Sequence, residues 1–278
     1  MNFIQVLILG VVQGITEFIP VSSSAHLVLI PDFLGWGIPP VSFDIAVHIG
    51  TLFAVLLYLR RDIFELFGSG RKLLPVILVA CIPTAALGFF LKDFFESLFE
   101  NSLGVSCLLL VTGFVLWLPF LRITGHVSDS DTGGQRATSD PNAASGLGQV
   151  HKISYIDALW IGFAQGCAIA PGISRSGSTI SAGLLRGLSK DSALRFAFLL
   201  FIPAMLGALL LKLKDFSSAA SSGLPPWQYF AGGAVSFISG YFAINMVFAS
   251  LKKGRWKIFS YYCWILGVFG IFLALSRG

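Results

Sequence analysis

Nearly all the chemistry available to this chain is concentrated in two short stretches. The first runs Gln13-Gly14-Ile15-Thr16-Glu17 and continues past Pro20 into Ser22-Ser23-Ser24-Ala25-His26. Glu17 lies in apolar surroundings, where a lone ionised carboxylate is costly or takes up a proton. Such a group is a metal ligand, a general base or a neutral structural side chain. Gln13 stands four residues earlier, on the same helical face, and could hold a ligand or a metal-bound water. The hydroxyls of Ser22, Ser23 and Ser24 can cap a helix. Alternatively, His26 three residues beyond Ser23 activates that hydroxyl or relays its proton.

The second stretch, Pro171-Gly172-Ile173-Ser174-Arg175-Ser176-Gly177-Ser178-Thr179, sets one fixed positive charge among hydroxyls and glycines. Glycine lets backbone N–H groups turn toward an anion. A following helix N-terminus adds positive dipole, and arginine offers paired donors to phosphate. The pattern is that of a phosphate cradle. Asp44, His48 and Arg195 also stand within or beside apolar runs. Asp44 and His48 are four apart on one face, and either line a cavity or sit at a membrane interface.

The elements that must position these groups are membrane helices. Of the 278 residues, 55% are hydrophobic and 12% charged, against roughly 25% charged in a soluble domain. The mean hydropathy is +0.80. Six segments, 43–59, 73–91, 103–121, 193–211, 229–250 and 258–275, have the length and apolarity of full spans. Two more, 2–31 and 155–187, are apolar but interrupted by Gly, Pro, Ser and charge. Non-helical backbone survives at membrane depth only when buried in protein or lining a wet cavity, so these two read as re-entrant helix–turn–helix pairs.

Both interrupted segments run Gln-Gly, then Pro, then a Ser-rich stretch, and three spans follow each. The fold class expected is an all-α polytopic membrane protein with six transmembrane helices and two re-entrant pairs. They form an inverted-topology repeat, about 1–121 and 153–278, joined by a polar loop at 122–152. Matching broken helices in two such halves point to a site near the membrane midplane.

Orientation follows from Lys and Arg placement. Arg60, Arg61, Arg71, Lys72, Arg122, Arg136, Lys152, Lys252, Lys253, Arg255 and Lys257 fall on one side. Only Lys92, Lys212, Lys214 and Arg277 fall on the other. The first side is therefore cytoplasmic and both termini lie outside. The net charge of +5 resides in membrane-flanking loops, which excludes a nucleic-acid-binding face. Cys81, Cys107, Cys167 and Cys263 stand apart in apolar runs without CxxC spacing and read as small buried hydrophobes. The N-terminus has neither the basic start nor the cleavage site of a secretory signal. The 125–150 stretch, rich in Ser, Asp, Gly, Thr and Asn, reads as a flexible loop.

At these motifs the sequence resembles the bacterial undecaprenyl-diphosphate phosphatase family, also called the bacitracin-resistance protein family. Its (Glu/Gln)-x-x-x-Glu motif matches Gln13 to Glu17, its P-V-S-S-x-x-H motif Pro20 to His26, and its PGxSRSGxT motif Pro171 to Thr179. The likeness extends through FDIAVHIGTLFAV and AFLLFIPA. It implies hydrolysis of undecaprenyl diphosphate to undecaprenyl phosphate, the lipid carrier recycled for cell-wall synthesis, with a divalent cation, Mg²⁺ or Ca²⁺. The expected setting is the bacterial plasma membrane, with the active site opening to the outer side and a homodimer as a candidate assembly.

The expected catalytic set is Glu17, Ser23, His26 and Arg175. Ser22, Ser174, Arg175, Ser176, Gly177, Ser178 and Thr179 are expected to bind phosphate, and Glu17 with Gln13 to hold the cation. The nucleophile is left open between Ser23, His26 and a water activated by Glu17. A lipid greasy enough to be the substrate needs an apolar groove, which the 26 Phe residues would suit. Inverted repeats with broken helices are also a transporter architecture, so a lipid-phosphate flippase is the rival reading.

Overall fold

Each interrupted segment begins with a helix that its first residues are built to start. Asn2 and Gln5 form a reciprocal capping box at one, and Ser154 and Asp157 form another at the second. Each is halted by the chemistry of its turn. Ile19, preceding Pro20, takes an extended conformation, as the residue before proline must to clear the ring. Gly172 in the other turn has φ +99, open to glycine at little cost. A second short helix then starts on a serine cap: Ser22 accepts from the Ala25 N–H, and Ser174 from the Gly177 N–H.

The computed structural model describes residues 1–37, 39–98, 101–124, 153–219 and 224–277. The expected polar loop at 125–150 lies outside them. The helices, in order, are α1 Phe3–Phe18, α2 Ser23–Phe33, α3 Val41–Tyr58, α4 Arg60–Leu66, α5 Leu73–Phe90, α6 Lys92–Leu98 and α7 Ser102–Thr124. There follow α8 Tyr155–Cys167, α9 Arg175–Leu185, α10 Lys190–Ala219, α11 Pro226–Lys252 and α12 Lys257–Arg277. Among the described residues there is no strand. Six helices are long and apolar enough to cross a membrane: α3, α5, most of α7, the first part of α10, α11 and α12. These are the six expected spans, with bounds differing only at their ends. The short helices α4 and α6, in the connections after α3 and α5, were not foreseen.

The molecule is sorted for lipid. Phe53, Phe89 and Phe230 are among many large apolar side chains exposed on the outside, while Gln13, Glu17, His26, Gln165 and Thr179 are buried. Helices in such a medium gain little from burying apolar area and associate by close packing of small residues. On α1, Gly10 and Gly14 lie against Gly232, Ser236 and Gly240 of α11. On α8, Gly162 and Gly166 have the same four-residue spacing and lie against Ala80, Pro83 and Leu87 of α5. So α1 packs on α11 much as α8 packs on α5, each lead helix seated on a span distant in sequence. Helix α11 also packs along α3, α7 along α12, and α10 against α3, α5 and α9. These contacts draw the two serine-capped turns together.

The seating leaves no room for a side chain. A Cβ on Gly162 would stand 1.9 Å from the Ala80 carbonyl oxygen, a collision with backbone. Gly162→Leu should therefore separate α8 from α5 and lower the melting temperature of the detergent-solubilised protein markedly. Overpacking a tight site costs about 1–3 kcal/mol or more. Gly254→Ala, at a φ of +69 with open space around it, should be milder.

Candidate functional site

The turn after α1 and the turn before α9 meet, so the positive N-terminal ends of α2 and α9 approach one another. The Gly172 N–H donates to Ser24 Oγ at 3.4 Å, joining the two turns directly. Thr112 of α7 braces the second turn: its hydroxyl donates to the Gly172 carbonyl at 2.7 Å and accepts from the Ser174 N–H at 3.0 Å. A Cβ on Gly172 would fall 2.4 Å from the Val105 carbonyl oxygen, so this turn can come so close to α7 only as glycine.

At the junction stands Glu17, 6% exposed. Arg175 Nη2 donates to its Oε1 at 3.0 Å across 158 residues of sequence. Ser23 Oγ donates to its Oε2 at 2.5 Å, and Gln13 Nε2 to the same oxygen at 3.0 Å. The Arg175 guanidinium also lies over the Phe201 ring, 5.0 Å from its centroid, a favourable cation–π contact. A narrow pocket beside them is lined by Glu17, Phe18, Arg175, Ser176, Thr179, Ala197, Phe198 and Phe201. Glu17, Ser23, Gln13, Arg175, Ser176 and Thr179 of the expected set are thus brought together.

The other expected residues are placed differently. Ser174 Oγ accepts from the Gly177 N–H at 3.1 Å and lies 3.3 Å from Ser176 Oγ, so it serves first as a cap. Gly177 is packed tightly against Leu116, while Ser178 is buried within α9. Ser22 caps α2 and lies 3.1 Å from Ser24 Oγ. His26 is not brought to Ser23 or Glu17. Its Nδ1 lies 2.7 Å from the Ser22 carbonyl oxygen and its Nε2 2.8 Å from the Tyr262 hydroxyl. A spacing of three puts His26 and Ser23 on one helix face, but both ring nitrogens are engaged by Ser22 and Tyr262.

His48 and Asp44, left undecided between cavity and interface, prove to join the cluster. His48 Nε2 stands 3.8 Å from Glu17 Oε2. Its Nδ1 lies 2.8 Å from the Asp44 carbonyl oxygen and 3.1 Å from Asp44 Oδ1. Lys212 at the far end of α10 pairs with Asp44 at 2.6 Å. Basic and acidic groups therefore alternate from Arg175 through Glu17, His48 and Asp44 to Lys212. The i, i+4 spacing of Asp44 and His48 marked the face; its partner on α1 could not be read. At the opposite end of the α3–α10 pair, Arg195 donates to both oxygens of Asp62 at 2.7 and 2.8 Å and to Asp191 at 2.7 Å. That network pins helices and stands apart from Glu17.

The donor set does not fit a cation held by Glu17 and Gln13. Hard divalent cations want converging oxygens, yet Gln13 turns its N–H to Glu17, and its Oε1 is buried without a partner. The carboxylate is ringed by Arg175, Ser23, Gln13 and His48, a surrounding that suits an anion. Among the described residues no group of three or more His, Cys, Asp or Glu converges for a metal.

The family described as bacitracin resistance protein BacA matches residues 6–269. Curated relatives named undecaprenyl-diphosphatase are similar over nearly the full length. That of Carboxydothermus hydrogenoformans is 41% identical over 271 residues, 96% of each chain. That of Halothermothrix orenii is 40% identical over 277 residues, 99% of each, and that of Syntrophotalea carbinolica 38% identical over 287 residues, 99% of this chain and 100% of its own.

Glu17 now occupies the guanidinium that a phosphate would use. Glu17→Gln should therefore bind pyrophosphate more tightly than the unaltered protein, by several-fold, since one competing and repelling charge is gone. Isothermal titration calorimetry of the detergent-solubilised protein measures it; equal or weaker binding would show that Glu17 does not compete for Arg175.

Proposed function

From the chain's membership of the bacitracin resistance protein BacA family, to which it belongs over nearly its whole length, we propose that it hydrolyses undecaprenyl diphosphate. The products are undecaprenyl phosphate and inorganic phosphate, and the reaction returns the lipid carrier to cell-wall synthesis. The observation that carries this reading is the Arg175–Glu17–Ser23 constellation, set between two helix N-termini inside a bundle whose outer surface is apolar. A lipid diphosphate needs such a pairing of greasy surroundings and an anion-binding centre. Arg175 binds the terminal phosphate, assisted by Ser176, Thr179 and the positive end of α9, and offsets charge as phosphoryl transfer proceeds.

Ser23 is the favoured nucleophile, because its hydroxyl is already directed at Glu17 Oε2. As Oγ bonds to the terminal phosphorus, its proton passes to Glu17. The bridging P–O bond breaks, and its electron pair leaves with undecaprenyl phosphate. Water then attacks the phosphoserine phosphorus, the P–Oγ bond breaks, and Glu17 returns its proton to Ser23 Oγ as inorganic phosphate leaves. In this reading Glu17 serves the proton transfer and the pairing with Arg175, and Glu17 and Gln13 are not ligands of the expected divalent cation.

The proposed setting is the bacterial plasma membrane, with α1–α2 and α8–α9 as re-entrant hairpins of two inverted halves, 1–121 and 153–278, joined through 122–152. Both termini lie outside, and the site opens outward. Assembly as a homodimer belongs to the same proposal. The reciprocal seating of α1 on α11 and α8 on α5 favours one second reading, a lipid-phosphate flippase, since alternating-access carriers use such halves.

Phosphate release separates the two. Purified protein given a polyprenyl diphosphate and Mg²⁺ or Ca²⁺ should release inorganic phosphate, with Arg175→Ala and Glu17→Ala each about a hundredfold slower or worse. Labelled phospho-enzyme trapped in the unaltered protein should vanish in Ser23→Ala. Folded protein that releases no phosphate would leave the carrier reading. For orientation, a cysteine placed at Asn2 in a cysteine-free background should react with an impermeant maleimide added outside intact cells.

A further inference from the structure

Helix α12 was expected only to span the membrane, yet it grips the Ser22–His26 hairpin. Tyr262 reaches the His26 ring, and its neighbour Cys263, fully buried, directs Sγ at the Pro20 carbonyl oxygen, 3.9 Å away. Farther along, Arg277 donates to the carbonyls of Asp32 and Phe33 at 2.7 and 3.2 Å, at the end of α2.

The two partners of His26 settle which nitrogen carries its proton. A carbonyl oxygen can only accept, so Nδ1, 2.7 Å from the Ser22 oxygen, is the protonated one. In the neutral ring Nε2 is then bare, and the Tyr262 hydroxyl at 2.8 Å donates to it. The two rings lie within 6° of parallel, their centroids 5.7 Å apart. What the Nδ1–H holds is strained: Ser22 has φ +66, and it is the single non-glycine with positive φ among the described residues. Such a conformation persists only where its surroundings over-determine it. Ser22 directly precedes Ser23, whose hydroxyl lies on Glu17.

We propose that Tyr262 is a positioning residue for the reaction. By donating to the bare Nε2 it holds the orientation of the His26 ring, whose Nδ1–H holds the Ser22 carbonyl and the left-handed turn that presents Ser23 to Glu17. His26 acts as the turn's clasp and does not exchange the Ser23 proton. The inference rests on the Ser23–Glu17 reading of the site, but its first readout does not.

That readout is the ¹⁵N spectrum of histidine-labelled protein, with His26 assigned by its loss in His26→Asn. His26 should show the Nδ1–H tautomer with its bare Nε2 shifted upfield by the Tyr262 hydrogen bond, and that shift should be lost in Tyr262→Phe. In turnover, Tyr262→Phe should lower kcat about tenfold, as misplacement of a nucleophile does, with KM within about twofold. His26→Asn places an amide N–H where Nδ1–H stood and should keep much of the turnover that His26→Gln loses. Adding Tyr262→Phe to His26→Asn should then cost nothing more. An unchanged Nε2 resonance in Tyr262→Phe, or His26→Asn as inactive as His26→Gln, would overturn the proposal. Full activity of Ser23→Ala would overturn the nucleophile reading and leave the tautomer result standing.

Discussion

A buried carboxylate cannot be left alone, and the core of this protein is arranged around that prohibition. Glu17 is surrounded by a guanidinium, a hydroxyl, an amide N–H and an imidazole. Each comes from a different place: α9, the start of α2, α1 itself and α3. Bringing four elements to one side chain requires the two turns to meet, hence the Ser24–Gly172 contact and the Thr112 brace. The cost of an unpaired buried charge thus propagates outward into the placement of α7, α3 and α10.

Geometry supplies what lipid does not. With no strong hydrophobic drive between helices, the lead helices reach the centre by backbone-to-backbone approach at Gly10, Gly14, Gly162 and Gly166. The same closeness frees no space near the carboxylate, so the pocket beside Arg175 is narrow. Binding a diphosphate then means exchanging one anion for another on Arg175, with the alternating chain through His48, Asp44 and Lys212 left to hold Glu17.

Much of this was legible in the chain. The spans follow from apolar length, and the breaks in 2–31 and 155–187 from Pro and Gly in apolar runs. The demand that Glu17 meet Arg175 follows from two charges that lipid would not otherwise tolerate. What was not legible depends on the angular setting of helices. Asp44 and His48 share a face by spacing, but which neighbour that face meets is decided by α3 packing on α11 and α10. Tyr262 looked like any aromatic in a span, because a hydroxyl's partner 236 residues away leaves no local pattern. The partners of His26 escape the sequence for a related reason: its place near Ser23 does not reveal that Ser22 and Tyr262 engage both ring nitrogens. The short Gly-x-x-x-Gly echo between α1 and α8 was present in the sequence and overlooked beside the more conspicuous Gln-Gly and Pro.

The long separation of the central ion pair has a consequence for how the protein is made. Glu17 leaves the ribosome 158 residues ahead of Arg175, which is roughly ten to thirty seconds at about 5–20 residues per second. Throughout that interval the carboxylate has no guanidinium, so it must keep its proton or keep contact with water.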